Sequence, residues 1–223
     1  VALADHPTWY PRVWSRVAEE VETGRQAFVV TSAISASVQE EGELGDGEPG
    51  DQETDGTPSV PRASVEETLP MIRALPAFSS LRVEAIHGRM PTAEKDEVMQ
   101  AFAAGNIDVL VATTVIEVGI DVPNASIMVI LDADRFGVSQ LHQLRGRVGR
   151  GGHKGTCLLV THAEEGSTAR ARVEAVASTL DGFELAAKDL ELRREGDVLG
   201  ASQSGRRSSL RLVRVTSDGE LID

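Results

Sequence analysis

Residues 107–113 read IDVLVAT and residues 125–131 read ASIMVIL, and these two apolar runs decide the fold class. A short run without polar alternation is typical of a strand that is buried on both faces of a sheet. Such strands occur in parallel sheets that are covered by helices. Three further strands are predicted on the same grounds, at 26–31 (QAFVVT), 81–87 (LRVEAIH) and 156–161 (TCLLVT).

Helical patterns separate these strands. In the first helix, predicted over 8–24, valines recur at four-residue spacing and a glycine ends the pattern. Alternating strands and helices predict a three-layer α/β domain with a mainly parallel sheet, over residues 1–180. The tail, 181–223, breaks the alternation with a short helix at 183–192, a loop rich in Gly and Ser, and a candidate strand at 209–215. The other helices are predicted at 63–75, 91–105, 139–150 and 167–178.

The 223 residues are enough for one large domain with an appendage. No apolar run approaches the roughly 20 residues that a membrane-spanning helix needs, so no membrane partner is expected. Cys157 is the only cysteine, which excludes a disulfide framework and a cysteine-based zinc site. This fits a cytoplasmic protein without a metal centre. The chain begins at Val1 in a helical pattern, and we therefore expect it to be part of a longer polypeptide.

The net charge of −13 is distributed unevenly. Residues 39–61 contain eight acidic and no basic residues, and this composition predicts a disordered surface insertion. By contrast, residues 135–172 contain seven Lys or Arg against two acids. Local basic clusters in an acidic chain indicate anion sites, such as phosphate sites.

The sequence contains no G-x-x-x-x-G-K-[ST] motif. That motif forms the P-loop, whose backbone and lysine hold the phosphates of a nucleotide. The chain is therefore not expected to bind and activate a nucleoside triphosphate by itself.

Residues 140–150, QLHQLRGRVGR, concentrate candidate phosphate-binding side chains. On a continuous helix, Gln143, Arg147 and Arg150 would lie on one face. Arginine presents a fixed fork of donors to phosphate oxygens, and an arginine at a transferring phosphate contributes a large rate factor. The alternative is a solvated basic helix face. The helical pattern contains two glycines, Gly146 and Gly149. Glycine weakens a helix, so its presence here favours the close approach of another group.

This segment resembles motif VI of superfamily 2 helicases. The resemblance implies a second RecA-like lobe, whose arginines reach ATP that is held with Mg²⁺ mainly by a first lobe. By position, Arg147 and Arg150 would be the arginine fingers and Gln143 the residue that senses the γ-phosphate. The missing P-loop is then expected, because it belongs to the first lobe.

Residues 111–121, VATTVIEVGID, resemble motif V of the same superfamily. Thr113 and Thr114 follow an apolar strand, at the end where open α/β sheets place ligands. The resemblance implies that they lie near the nucleic-acid backbone, and that Gly119 and Asp121 lie near the ATP ribose and the lobe interface.

The segment 86–90, IHGRM, also follows a predicted strand and resembles the same lobe. We expect His87 or Arg89 to contact DNA; the alternative for His87 is a purely structural role.

The tail resembles the TRG element of duplex-DNA translocases, in DGFELAAKDLELR at 181–193, GDVLG at 196–200 and QSG at 203–205. The residues of this tail resemble those of RecG-type helicases more than those of Mfd-type transcription-repair coupling translocases. The resemblance implies that Arg145, Arg193 and Gln203 take part in coupling or DNA contact. The family pattern R-G-x-G is replaced here by RREG at 193–196, which puts the loop conformation in doubt.

The expected function is therefore that of the C-terminal motor lobe of an ATP-dependent DNA helicase. The implied partners are double-stranded and branched DNA, including forks and Holliday junctions, together with the first RecA-like lobe and a wedge domain of the same polypeptide. An Mfd-type lobe and a non-catalytic DNA-binding scaffold are the alternatives. The fragment alone is expected to be inactive.

Overall fold

A computed structural model describes the backbone of residues 2–3, 8–35, 62–113, 122–152 and 154–200, and the side chains of these segments from residue 8 to 192. The strands are β1 (Ala2–Leu3), β2 (Gln26–Val30), β3 (Val83–Ile86), β4 (Val109–Ala112), β5 (Ala125–Ile130) and β6 (Thr156–Thr161). The α-helices are α1 (Trp9–Glu22), α2 (Val65–Arg73), α3 (Thr92–Ala103), α4 (Val138–Arg145), α5 (Thr168–Ser178) and α6 (Gly182–Gly200).

The strands form one sheet in the order β1-β6-β5-β2-β4-β3, and every described pairing is parallel. All residues of β2, β4 and β5 are buried, as their continuous apolar runs predict. The sequence-based prediction of a parallel α/β sheet is therefore confirmed. The two-residue strand β1 was not predicted, because so short a segment carries no periodicity.

Helices cover both faces of the sheet. On β2, Ala27 and Val29 belong to a core that includes buried residues of α1 and α2. Phe28 and Val30 point to the other core, which contains residues of α3, α4, α5 and α6. This division follows from the period of two along a strand, which sends successive side chains to opposite faces. The predicted three-layer arrangement is confirmed.

Helix α4 is shorter than predicted. It ends at Arg145 and is capped by Gly146, whereas the sequence pattern predicted a helix over 139–150. Gly149 adopts a left-handed conformation with φ of 81°, which glycine allows at no steric cost. The Gly149 amide donates to the carbonyl of Ala125 at 3.1 Å instead of continuing the helix. The prediction of one helical face for Gln143, Arg147 and Arg150 was therefore wrong.

Helix α6 is longer than predicted. The backbone remains helical from Gly182 to Gly200, whereas the sequence predicted a helix that ends at 192 and a loop after it. The RREG segment thus lies within a helix. Glycine weakens a helix but does not forbid it. The candidate strand at 209–215 lies outside the described residues.

The acidic insertion predicted at 39–61 also lies outside the described residues, but its two flanks are described. Ala33 and Ser64 form a parallel bridge, and the amide of Val65 donates to the Ala33 carbonyl at 3.0 Å. The insertion therefore leaves and rejoins the domain just beyond the carboxyl end of β2. Within the described residues, no helix is long and apolar enough to cross a membrane.

Candidate functional site

Two predicted DNA-contact residues meet at the carboxyl end of the sheet. Thr113 follows β4 and His87 follows β3, and the Thr113 amide lies 3.4 Å from the carbonyl of Ile86. The Thr113 hydroxyl and His87 Nδ1 are buried, and neither has a hydrogen-bond partner within the described segments. A buried polar group without a partner costs about 1–3 kcal/mol, so water, a ligand or residues outside the described segments would supply the partner. Arg89 is exposed two residues further on.

Asp132 lies at the same end of the sheet, just after β5. No sequence motif pointed to a role for this residue. Its backbone is left-handed, with φ of 50°. One carboxylate oxygen accepts from the Ala63 amide at 2.7 Å and from the Ser32 hydroxyl at 3.3 Å. Asp132 thereby joins the segments that follow β2 and β5 to the start of α2.

The predicted arginine fingers lie at the opposite, amino end of the sheet. The loop after α4 contacts the start of β5 through the bond from Gly149 to Ala125. β5 has six residues, which places its two ends about 17 Å apart at about 3.3 Å per residue. The structure therefore separates the predicted arginine fingers from Thr113 and His87, two of the residues predicted to contact DNA.

Within this loop the arginines remain accessible. Arg150 is exposed and its Nε donates to the Gly146 carbonyl at 2.9 Å, while Arg147 is half-buried. Gln143 is exposed on the last turn of α4. The three side chains belong to one end of the sheet, although they do not share a helical face.

Arg145 makes internal contacts. Its guanidinium donates to the carbonyls of Val176 and Thr179, the latter at 2.7 Å, and lies 3.2 Å from His142 Nδ1. These carbonyls lie at the C-terminal end of α5. The last carbonyls of a helix have no hydrogen-bond partner within the helix, and a positive charge is favourable there. Arg145 therefore fastens α4 to the end of α5, just before α6 begins. Its proposed role in coupling stays a prediction.

A groove of about 510 Å³ runs beside Arg145, between the ends of α4 and α5 and the start of β6. Its lining includes Cys157, Val176 and Leu180. Burial raises the pKa of the Cys157 thiol to about 12, so this cysteine is a packing residue rather than a nucleophile. Next to the groove, Leu180 and Phe183 are 81% and 90% exposed.

Several predicted site residues cannot be placed. Thr114, Gly119, Asp121 and Gln203 lie outside the described residues, as does the side chain of Arg193 on α6. Among the described side chains, no cluster of three or more His, Cys, Asp or Glu could hold a metal ion.

Comparison with known proteins identifies the type of domain. Residues 62–152 match the family model of the helicase conserved C-terminal domain. This match includes the strand ends that carry His87 and Thr113 and the loop that carries Arg147 and Arg150.

Similar relatives are called ATP-dependent DNA helicase RecG. The protein of Mycobacterium leprae is 46% identical over all 223 residues, which cover 28% of its length. The protein of Bacillus subtilis is 41% identical over 196 residues, 87% of this chain and 25% of the relative. The chain thus spans about a quarter of the length of these relatives.

A solved structure of RecG bound to a three-way DNA junction is also similar. It shares 35% identity and a TM-score of 0.62, over 93% of this chain and 23% of the other. The parallel sheet is thus the RecA-like fold of a superfamily 2 helicase lobe. The chain therefore contains the conserved C-terminal domain of a helicase, and over its full length it is similar to the corresponding part of RecG helicases.

Proposed function

We propose that this chain is the C-terminal motor lobe of an ATP-dependent translocase that moves on double-stranded DNA. In this proposal the complete protein branch-migrates Holliday junctions and remodels stalled forks during DNA recombination and repair, and it acts in the cytoplasm. One observation carries the proposal furthest. At one end of its sheet the chain offers accessible arginines, and at the other it offers buried polar groups that have no hydrogen-bond partner among the described residues. This arrangement suits a lobe that contacts both ATP and DNA.

The amino end of the sheet is the proposed ATP-facing side. Arg147 and Arg150 would place guanidinium groups against the phosphates of ATP bound to the first lobe, and Gln143 would contact the γ-phosphate. A positive charge at this point stabilises the negative charge that spreads over the transferring phosphoryl group. Gly119 and Asp121 are proposed near the ribose. Mg²⁺, held by the first lobe, would neutralise phosphate charge.

The carboxyl end is the proposed DNA-facing side. The Thr113 hydroxyl can donate to a phosphate oxygen, and a phosphate contact of this kind carries no sequence preference. Thr114 is proposed to make a similar contact. His87 and the exposed Arg89 stand on the neighbouring strand end and would extend the contact along the backbone. A RecG relative has been solved with a three-way DNA junction, which supports branched DNA as the partner.

Coupling is proposed to involve the segment 181–223. Arg145 bonds to the last turn of α5, so a movement of the arginine loop would reach α6 through this contact. Arg193 and Gln203 are proposed to continue the path towards DNA. The first RecA-like lobe and the wedge domain are proposed as partners within the same polypeptide.

The experiment that tests the proposed function uses the full-length protein on two substrates. One is a synthetic mobile Holliday junction, and the other is RNA polymerase stalled on duplex DNA. The proposal predicts ATP-dependent conversion of the junction and no displacement of the polymerase. Displacement without junction conversion would favour the Mfd-type alternative, and the absence of both with DNA binding retained would favour a scaffold.

A further inference from the structure

The loop that carries the arginines is packed against the start of β5 with no space for a side chain. A β-carbon added to Gly151 would lie 2.4 Å from the carbonyl oxygen of Pro123 and 3.3 Å from its Cβ. The first distance is far below any van der Waals contact, and the opposing atom belongs to the backbone. Gly151 and Pro123 therefore touch through their main chains.

A second close contact lies within the loop itself. A β-carbon on Gly155 would lie 2.8 Å from the Val148 carbonyl oxygen and 2.9 Å from the Gly149 nitrogen. Val148 is half-buried and packs against the core, and Gly149 is bonded to Ala125. The loop thus folds tightly upon itself and is fixed to the domain on either side of Arg150.

We propose that Gly151 and Pro123 are positioning residues that set the placement of Arg147 and Arg150. This inference rests on the proposed function, because it assumes that these arginines act at ATP. Pro123 is also two residues beyond Asp121 in the sequence.

The kinetic consequence is specific. Catalysis by a preorganised charge depends steeply on its position, and a displacement of about 1 Å can reduce a rate by about 100-fold. In the full-length protein, Gly151→Ala is expected to lower the kcat of fork-DNA-stimulated ATP hydrolysis by about 10- to 100-fold. The KM for ATP should change by less than about twofold, because the first lobe is proposed to supply most of the ATP binding. The Kd for forked DNA should change equally little, because Thr113 and His87 lie at the other end of the sheet.

Two companion variants make this result specific. Pro123→Gly frees the opposing backbone, and in the Gly151→Ala protein it is expected to raise kcat by at least about threefold. The same change should not raise kcat in an Arg150→Ala protein. The matched control is Gly137→Ala, since a β-carbon there lies 3.7 Å from Gln140 Oε1 and φ is −67°. Its kcat should stay within about twofold of the wild type.

Hydrogen exchange provides a readout that does not depend on activity. The Gly149 amide is bonded to Ala125, and its exchange should become at least about tenfold faster in Gly151→Ala, with core amides of β2 and β4 unchanged. Should Gly151→Ala fail to fold, Gly155→Ala is measured in the same way, with Gly137→Ala as its control.

Wild-type kcat together with wild-type exchange at Gly149 would overturn the inference. So would a loss of kcat with parallel losses of DNA binding and core protection, because that pattern reports general damage. Wild-type kcat in Arg150→Ala would overturn the proposed function, whereas exchange at Gly149 would still show whether Gly151 holds the loop.

Discussion

Arg145 illustrates how the same residue type serves different purposes within a few positions. It lies two residues before Arg147, yet its guanidinium points inwards and satisfies the carbonyls of Val176 and Thr179. Sequence patterns identified the basic segment but could not tell which arginine would point inwards. That choice depends on where α5 ends, which is a tertiary property.

The internal role of Arg145 gives a stability prediction. Arg145→Ala leaves the last carbonyls of α5 without their donor, and a hydrogen bond to a charged group makes a net contribution of about 1.5–3 kcal/mol. The free energy of unfolding of the domain should fall by about 1–3 kcal/mol, measured by urea denaturation. Arg145→Lys should recover part of the loss, because its ammonium keeps the positive charge and can donate to these carbonyls but lacks the second nitrogen that lies 3.2 Å from His142 Nδ1. An unchanged free energy of unfolding in Arg145→Ala would contradict this account.

At the scale of elements, the sequence predicted the strands better than the helix ends. The runs at 107–113 and 125–131 became β4 and β5 because a central parallel strand is buried on both faces and so needs apolar residues throughout. The end of α4 could not be predicted, because it depends on the contact of the following loop with Ala125 and Pro123. The separation of the two candidate sites follows from the parallel topology. It could have been inferred from the order of elements along the chain, because one site follows a strand and the other precedes the next strand.

The starts of β3 and β4 are joined by an ion pair that predicts a pH dependence. The Arg82 side chain and amide donate to the Asp108 carboxylate, with Nη2 2.6 Å and the amide 2.7 Å from it. The bond from the Arg82 side chain is the main reason that the pKa of Asp108 lies below its usual value. A carboxylate whose pKa is lower in the folded state stabilises the fold fully at any pH above its pKa in the unfolded state, which is about 3.9. This stabilisation is lost as the pH falls through the lower pKa of the folded state.

Asp108→Asn removes this titration and should lower the Tm at pH 6. As the pH is reduced from about 5 to 2, the difference in Tm between wild type and variant should shrink, because the wild-type carboxylate becomes protonated. Thermal unfolding of both proteins at intervals of half a pH unit measures this difference in Tm. A difference that stays constant down to pH 2 would show that the pair has no role in acid stability.

At the scale of the whole molecule, the lobe is organised as a sheet with a different candidate site at each end. Resemblance of the motifs to a helicase family identified both sites, and their placement in the parallel sheet shows how far apart they lie. The sequence of this lobe contains no P-loop motif. The account therefore depends on the first lobe of the complete protein, against which Arg147 and Arg150 would act.

The most direct test of this claim is the rate of forked-DNA-stimulated ATP hydrolysis by the full-length protein, with wild type compared with Arg150→Ala. We predict a fall in kcat of several hundredfold or more with ATP binding retained, and almost no turnover by the isolated 223-residue chain. Activity of Arg150→Ala within a few-fold of wild type, or robust turnover by the isolated chain, would contradict the composite-motor account.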